Sequence, residues 1–197
     1  MKAIIASVHR SGSNYLASVL DGAIEGVKVS GEDRAFLPKY AGGEEGYKAH
    51  VQKYIDNAPD EFVHISPQFT HISKDIEADK LAFLIRNPYD HALSKVNFNP
   101  EWKDKLLDSL ISDIELFYGY IAKGRNKIFK YESLDKKGIL SVCKWLGLDA
   151  DLSKVNLDKA VNRRQGNYKS LDEAITDKKR LSELMVLIKK YQKRFKY

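Results

Sequence analysis

Cysteine is almost absent from this sequence. Cys143 stands alone among 197 residues, which excludes an internal disulfide framework and a zinc site built from several cysteines. Apolar runs are short as well, since none approaches the roughly 20 residues that cross a bilayer. The first run, 3–8, is also shorter than the apolar core of a signal peptide, roughly 7–15 residues. We therefore expect a cytoplasmic protein without a membrane partner.

Repeats, low-complexity tracts and proline-rich linkers are absent too, so nothing in the sequence divides the chain. Its 197 residues fit a single domain over 1–197, since domains typically have about 100–200 residues. The hydrophobic share of 43% is enough for a core and excludes a disordered chain. Lys and Arg number 33 against 27 Asp and Glu, and the net charge of +6 suggests an anionic partner without naming it.

Short apolar runs alternate with helical patterns along the chain. The runs lack polar alternation, which is typical of buried parallel strands; they are 3–8, 27–29, 61–65, 81–85 and 127–129. The helical patterns cover 14–22, 44–57, 89–96, 101–122 and 136–146. This order predicts an α/β fold of three layers, a central parallel sheet flanked by helices.

The end of the chain predicts an amphipathic helix over about 177–195, because apolar residues recur there at helical spacing. Its other face is basic. Such a face can bind nucleic acid or a membrane surface, but a solvated face is the commoner role. We expect no nucleic-acid partner.

A polar turn, VHRSGSNY at 8–15, follows the first predicted strand and opens a helix. Helix dipoles and exposed amides favour an anion at this place in α/β proteins. Gly12 allows close approach of a ligand, and Arg10 supplies a fixed positive charge. The hydroxyl and amide groups of Ser11, Ser13 and Asn14 add donors. Alternatively, a serine simply caps the helix.

Two familiar phosphate motifs are missing from this turn. It lacks Gly-x-x-x-x-Gly-Lys-Ser/Thr, and with it the lysine and hydroxyl that hold a metal triphosphate. It also lacks the Gly-x-Gly-x-x-Gly pattern of dinucleotide sites. If this turn binds an anionic group donor, the donor is therefore expected to be something other than a metal triphosphate or a dinucleotide.

A second motif follows the strand at 81–85. Arg86 stands at the carboxyl end of that strand, where open α/β sheets bind ligands, and Asn-Pro then opens a helix. Ser94 comes about two helical turns later and can face the same anion. Alternatively, Arg86 forms an ion pair with Asp90.

Together these stretches resemble the sulfotransferases that use 3′-phosphoadenosine 5′-phosphosulfate. Segment 9–15 resembles their 5′-phosphosulfate loop, and 86–94 resembles their 3′-phosphate motif. Two shorter stretches, KYESL at 130–134 and CKWLGL at 143–148, are similar to their Tyr-Glu-Asp-Leu and Phe-Leu-Gly-Leu segments. The four occur in the family's order and span most of the chain. The resemblance implies a P-loop-like sulfotransferase fold and metal-independent, in-line transfer of a sulfuryl group to a hydroxyl or amine.

The resemblance also implies a role for each matching residue. Arg10 would contact the sulfuryl group, and Tyr15 and Tyr131 would lie against the adenine. The 5′-phosphate would be cradled by Ser11, Gly12, Ser13 and Asn14, and the 3′-phosphate would be held by Arg86 and Ser94. A late family loop corresponds to 162–169, where Gly166 and either Arg163 or Arg164 would contribute to the 3′-phosphate site.

Two departures from the family bear on mechanism. His9 replaces a proline, and Arg10 replaces the lysine of the best-known cytosolic members. Arginine keeps the charge but does not give up its proton at ordinary pH. Arg10 would therefore act by electrostatic stabilisation rather than as a general acid.

Transfer to a hydroxyl needs a base, and three residues are candidates. His64, at the predicted carboxyl end of a strand, resembles the family's Lys-Thr-His-x-Pro base, although Phe62 and Val63 replace its Lys and Thr. Glu32 follows the second predicted strand, where some carbohydrate sulfotransferases carry a glutamate. His71 is the third.

Two other functions stay open: a small-molecule kinase with an atypical phosphate loop, and a non-catalytic nucleotide or polyanion binder. The acceptor would be a small molecule or a glycan, and the sequence does not identify it. Neither does it indicate an oligomeric state.

Overall fold

The computed structural model describes residues 1–32, 43–100, 105–155, 157 and 167–197. Contacts divide the chain into two compact units. The first comprises Met1–Ile85 and Asn126–Lys159, and the second Arg86–Arg125 and Ala160–Tyr197. The expectation of a single domain over 1–197 stays a prediction.

A five-stranded parallel sheet forms the centre of the first unit, in the order β2-β3-β1-β4-β5. The strands are β1 (Lys2–Ser7), β2 (Lys28–Ser30), β3 (Phe62–Ser66), β4 (Lys80–Ile85) and β5 (Lys127–Lys130). All five predicted strands are confirmed. Their apolar runs form strands because a parallel sheet covered on both faces removes their apolar side chains from water.

Helices cover both faces of this sheet. On one face, α1 (Ser13–Ala23) and α6 (Lys136–Leu146) pack onto a core of strand residues. On the other, α2 (Gly43–Asp56) and a 3₁₀-helix (Thr70–Asp75) lie over β3. There the His64 ring of β3 meets Tyr54 of α2 and Phe69, the N-cap of the 3₁₀-helix. The predicted α/β fold with a parallel sheet flanked by helices is confirmed.

Helices make up the described part of the second unit. They are α3 (Pro88–Phe98), α4 (Leu107–Asp113), a π-helix (Ile114–Tyr118), α5 (Gly119–Ala122), α7 (Leu171–Ala174) and α8 (Lys178–Phe195). One helix was predicted over 101–122. The structure shows α4 and α5 joined through the π-helix, and residues 101–104 lie outside the described residues. A π-turn adds a residue to one helical turn, so hydrophobic periodicity alone does not reveal it.

The terminal helix α8 begins at Lys178 and ends at Phe195, close to the expected 177–195. Asp177 caps it by accepting a hydrogen bond from the Arg180 amide at 3.0 Å. The apolar face buries Leu181, Leu184, Ile188, Tyr191 and Phe195. No helix within the described ranges is long and apolar enough to cross a membrane.

The strand order places β1 beside β4. After β1 the chain continues to β2 at one edge of the sheet, and after β4 it continues to β5 at the other. Ligands of open α/β sheets bind beyond the carboxyl ends of neighbouring strands that diverge in this way. The turn after β1 therefore begins where a ligand site is expected.

Candidate anion-binding site

Ser11 ties the turn after β1 to the sheet. Its amide donates to the Val8 carbonyl at 3.1 Å, and its hydroxyl donates to the Val8 and Leu84 carbonyls. The Val8 amide also donates to Leu84, at 3.2 Å. Ser11 is fully buried. Its side chain therefore braces the turn, and its expected part in the 5′-phosphate cradle stays a prediction.

Two residues of the turn have left-handed backbones, Arg10 with φ of 63° and Gly12 with φ of 87°. Such angles are strained for residues other than glycine. Gly12 has a second constraint: a Cβ atom there would lie 2.2 Å from Cδ2 of Tyr131. Position 12 therefore accepts only glycine without a rearrangement, and the turn has a fixed shape.

The N-terminus of α1 presents donors that the described protein does not use. Gly12 is its N-cap, no side chain accepts a capping hydrogen bond, and no acidic residue occupies the first turn. The amides of Gly12, Ser13 and Asn14 have no acceptor among the described residues. The simple serine cap considered above is therefore not formed. Together with the cation Arg10, these amides fit a phosphate or sulfate ester.

Tyr15 and Tyr131 meet beside this turn. Their rings form an edge-to-face pair with centroids 6.4 Å apart. The Tyr15 hydroxyl donates to the Leu157 carbonyl at 3.0 Å, and the Tyr131 ring lies against Gly12. Two of the motifs from the sequence, 9–15 and 130–134, thus meet in space.

Glu32 lies two residues beyond β2 and is exposed. Its neighbour Gly31 lies against the first turn of α1, because a Cβ on Gly31 would be 3.9 Å from Oδ1 of Asn14. Glu32 therefore directly follows a residue that lies against the first turn of α1.

His64 is in a different setting from the one expected. It is the third of five residues in β3, not the carboxyl end of the strand, and it is fully buried. Its ring stacks on Phe69 at a centroid distance of 4.9 Å and meets the edge of Tyr54 at 5.7 Å. An imidazole packed in this way does not reach an acceptor without local opening.

His71 is the histidine that lies past the carboxyl end of β3, in the 3₁₀-helix. It is half-buried and stacks on Tyr47 with ring centroids 6.1 Å apart. Burial lowers the pKa of His71 below its ordinary value, so its imidazole is neutral at pH 7. The preceding Thr70 donates its hydroxyl to the Ser7 carbonyl at 2.7 Å, which ties this helix to the end of β1.

Ser7, the last residue of β1, is a further candidate residue of the anion-binding site that was not predicted from the sequence. It is fully buried, and its hydroxyl has no hydrogen-bond partner in the described chain. The sequence signal that could have identified Ser7 is a hydroxyl residue inside an otherwise apolar run, immediately before the turn.

In the second unit, hydrogen bonds hold the backbone around Arg86. The Tyr118 hydroxyl, at the end of the π-helix, donates to the Arg86 carbonyl at 2.7 Å. The Asn87 side chain caps α3 by accepting from the Tyr89 amide at 3.0 Å. Asp90, the alternative partner, forms no ion pair with any described residue. The Arg86 residue is half-buried, and these hydrogen bonds hold the backbone on either side of it.

Ser94 is on α3 and is 7% exposed. Arg163, Arg164 and Gly166 lie outside the described residues. Within the described ranges, no group of three or more His, Cys, Asp or Glu side chains is arranged to hold a metal ion.

Comparisons with known proteins do not assign this sequence to a family. No protein-family model matches the sequence, and no curated protein matches it.

Proposed function

We propose that this protein is a sulfotransferase that uses 3′-phosphoadenosine 5′-phosphosulfate. The observation that carries the proposal is the turn after β1. Its left-handed Arg10 and Gly12 lead into three amides without an acceptor among the described residues. A phosphosulfate is the kind of anion such a turn binds. The family's four motifs, in the family's order, support the same donor and a P-loop-like sulfotransferase fold.

In the proposed reaction, the acceptor oxygen bonds to sulfur as the bond from sulfur to the bridging phosphate oxygen breaks, which releases adenosine 3′,5′-bisphosphate. The amides of Gly12, Ser13 and Asn14 would hold the 5′-phosphate. Arg10 would stabilise the negative charge that develops on the bridging oxygen. Because arginine keeps its proton, this contribution is electrostatic.

Arg86 and Ser94 would hold the 3′-phosphate of the donor. Tyr118 and Asn87 support this role for Arg86, because their hydrogen bonds fix the backbone around it. A guanidinium frequently contacts a phosphate in bidentate geometry, which adds specificity as well as energy.

Glu32 is the base that the geometry supports best. It is exposed beside the first turn of α1, whereas His64 is enclosed by aromatic rings. His71 is the alternative, since its lowered pKa keeps it neutral and able to accept a proton. The base would take the hydroxyl or amine proton of the acceptor as the new bond to sulfur forms.

The proposal is tested by incubating the protein with donor labelled in its sulfuryl group and a panel of phenol, alcohol, amine and glycan acceptors. We expect labelled product without added metal. Arg10→Ala should lower transfer by at least about 10²-fold, the usual cost of losing a transition-state donor, while Arg125→Ala on the exposed surface serves as the matched control.

Nucleotide binding separates the roles of the two arginines. Arg86→Ala should weaken adenosine 3′,5′-bisphosphate binding, and unchanged affinity would refute its assignment to the 3′-phosphate. Magnesium-dependent ATP turnover would instead identify a small-molecule kinase. Tight bisphosphate binding without transfer to any acceptor would identify a non-catalytic binder.

A further inference from the structure

A cavity opens at the amino-terminal edge of the sheet. Lys28 and Phe62, the first residues of β2 and β3, form one side of it. Residues from the last two turns of α2 and the loop that follows form the other, with Tyr54 and Ala58 among them. The cavity has a volume of about 510 Å³. That size lies within the range of small-molecule sites, about 300–1,000 Å³.

This cavity is separate from the turn after β1. All strands are parallel, so the first residues of β2 and β3 lie at the edge opposite to the one where β1 ends. A five-residue strand such as β3 sets the two edges roughly 16 Å apart. A ligand here would therefore bind independently of the proposed donor.

The walls of the cavity combine aromatic surface with positive charge. The Phe62 ring is buried and the Tyr54 ring half-buried, so both offer apolar contact. Lys28 and Lys53 are exposed at the opening and form no ion pair among the described residues. Among the residues that the structure describes, no acidic side chain lines the cavity.

Of the three acidic side chains at 56–61, Asp60 is exposed and the other two are engaged elsewhere. Glu61, just before β3, pairs with the amino group of Met1 at 3.4 Å. Asp56, at the end of α2, accepts from the Gln52 side chain at 2.8 Å. Lys28 and Lys53 form no ion pair with any of these carboxylates, so the two cations remain available to an anionic ligand.

We propose that this cavity binds a small aromatic molecule with one anionic group, such as a carboxylate or sulfonate. The aromatic body would lie against Tyr54 and Phe62, and Lys28 and Lys53 would hold the anion. Apolar walls with a few convergent polar groups are the usual composition of a small-molecule site. The inference does not depend on the sulfotransferase proposal.

The test uses 2-naphthoate and its neutral counterpart 2-naphthamide, titrated into the full-length protein and followed by amide resonances. We expect saturable shifts from the carboxylate at the amides of Tyr54 and Phe62. Replacing both Lys28 and Lys53 with Gln should weaken its affinity about tenfold, because two charge-assisted contacts are lost. Lys137→Gln with Lys144→Gln, on exposed positions of α6, removes the same charge as a control.

Four results would overturn the proposal. These are no saturable shift at millimolar carboxylate, equal affinity for the neutral amide, unchanged affinity in the Lys28 and Lys53 variant, and shifts centred on Gly12 to Asn14. The last result would mean that the carboxylate binds at the turn after β1 instead. Glutamine on the surface leaves the fold intact, so a loss of affinity reports on the cavity.

Discussion

The turn after β1 and the aromatic cluster around His64 start from similar sequence signals and end in opposite environments. The turn follows β1, and the cluster belongs to the neighbouring strand β3. Each carries a residue that resembles a catalytic residue of the sulfotransferases, Arg10 in the turn and His64 in the cluster. The turn stands beyond the end of its strand, where amides have no acceptor within the described protein. The His64 cluster, formed by Tyr54, Phe62, His64 and Phe69, lies under α2 and the 3₁₀-helix.

Residue type and approximate position in the sequence therefore do not decide whether a side chain can reach a substrate. β3 continues to Ser66, two residues beyond His64. That short extension moves the imidazole from the edge of the sheet into its covered face. A catalytic base must reach its substrate, so position outweighs the favourable chemistry of histidine.

The largest effect that would sharpen this comparison is expected at Glu32. Glu32→Gln should lower kcat for sulfuryl transfer by about 10²-fold or more, because the proposed general base is lost. Affinity for adenosine 3′,5′-bisphosphate should not change. Glu77→Gln, another exposed glutamate, is the control. If kcat falls in His71→Asn and not in Glu32→Gln, the base is His71.

His64 should matter for stability rather than for transfer. His64→Ala removes a buried ring from the cluster and should lower the free energy of unfolding by about 3 kcal/mol, measured by urea denaturation. His64→Phe keeps a ring against Phe69 and Tyr54. Its transfer rate per folded molecule should stay within a few-fold of the parent protein. A folded His64→Phe protein without activity would return the role of base to His64.

Gly12→Ala should lower the free energy of unfolding by about 2 kcal/mol, since the new methyl group meets Tyr131 and the backbone is left-handed. Gly26 has a similar φ of 75° with nothing within 4 Å of an added Cβ, so Gly26→Ala measures the backbone strain alone. In a Tyr131→Ala background, Gly12→Ala should cost only as much as Gly26→Ala does, because the ring that meets the methyl group is gone. Equal losses at Gly12 and Gly26 would show that the Tyr131 ring does not restrict the turn.

The smallest expected effect is a pH dependence from His71. Burial lowers its folded pKa below 6.5, so under acidic conditions the unfolded chain binds a proton that the folded protein does not. This histidine should therefore reduce stability as the pH falls below about 6.5, and have no such effect above it. Urea denaturation at about pH 7.5 and about pH 5.5 measures this. His71→Phe keeps a ring against Tyr47 and should show a smaller drop; an equal drop would contradict the assignment.

Much of the fold was predictable because its signals are local. The five apolar runs became the five strands, and α6 has the predicted bounds, Lys136–Leu146. Capping residues such as Asn87 and Asp135 mark helix starts directly in the sequence. The π-helix at Ile114–Tyr118 escaped prediction because a single added residue does not disturb the hydrophobic pattern enough to be seen.

The candidate site was predictable in part. The turn with Arg10 and Gly12 was identified from its place between a strand and a helix, and its backbone has the strained shape that anion-binding turns use. The brace formed by Ser11 was not foreseen, since its acceptor Leu84 lies on a strand distant in sequence. Ser7 was overlooked for the same reason, because its burial depends on elements that pack around β1.

The alternation of strands and helices, the polar turn after the first strand and the candidates for catalysis can all be read from the sequence. They follow from hydrophobic periodicity and capping chemistry, which act between residues close in the chain. Packing of distant segments was needed to show that Tyr131 lies on Gly12, that Ser11 faces inward, and that Glu32 is exposed while His64 is enclosed. Burial is the reason, since it depends on which distant segments pack together.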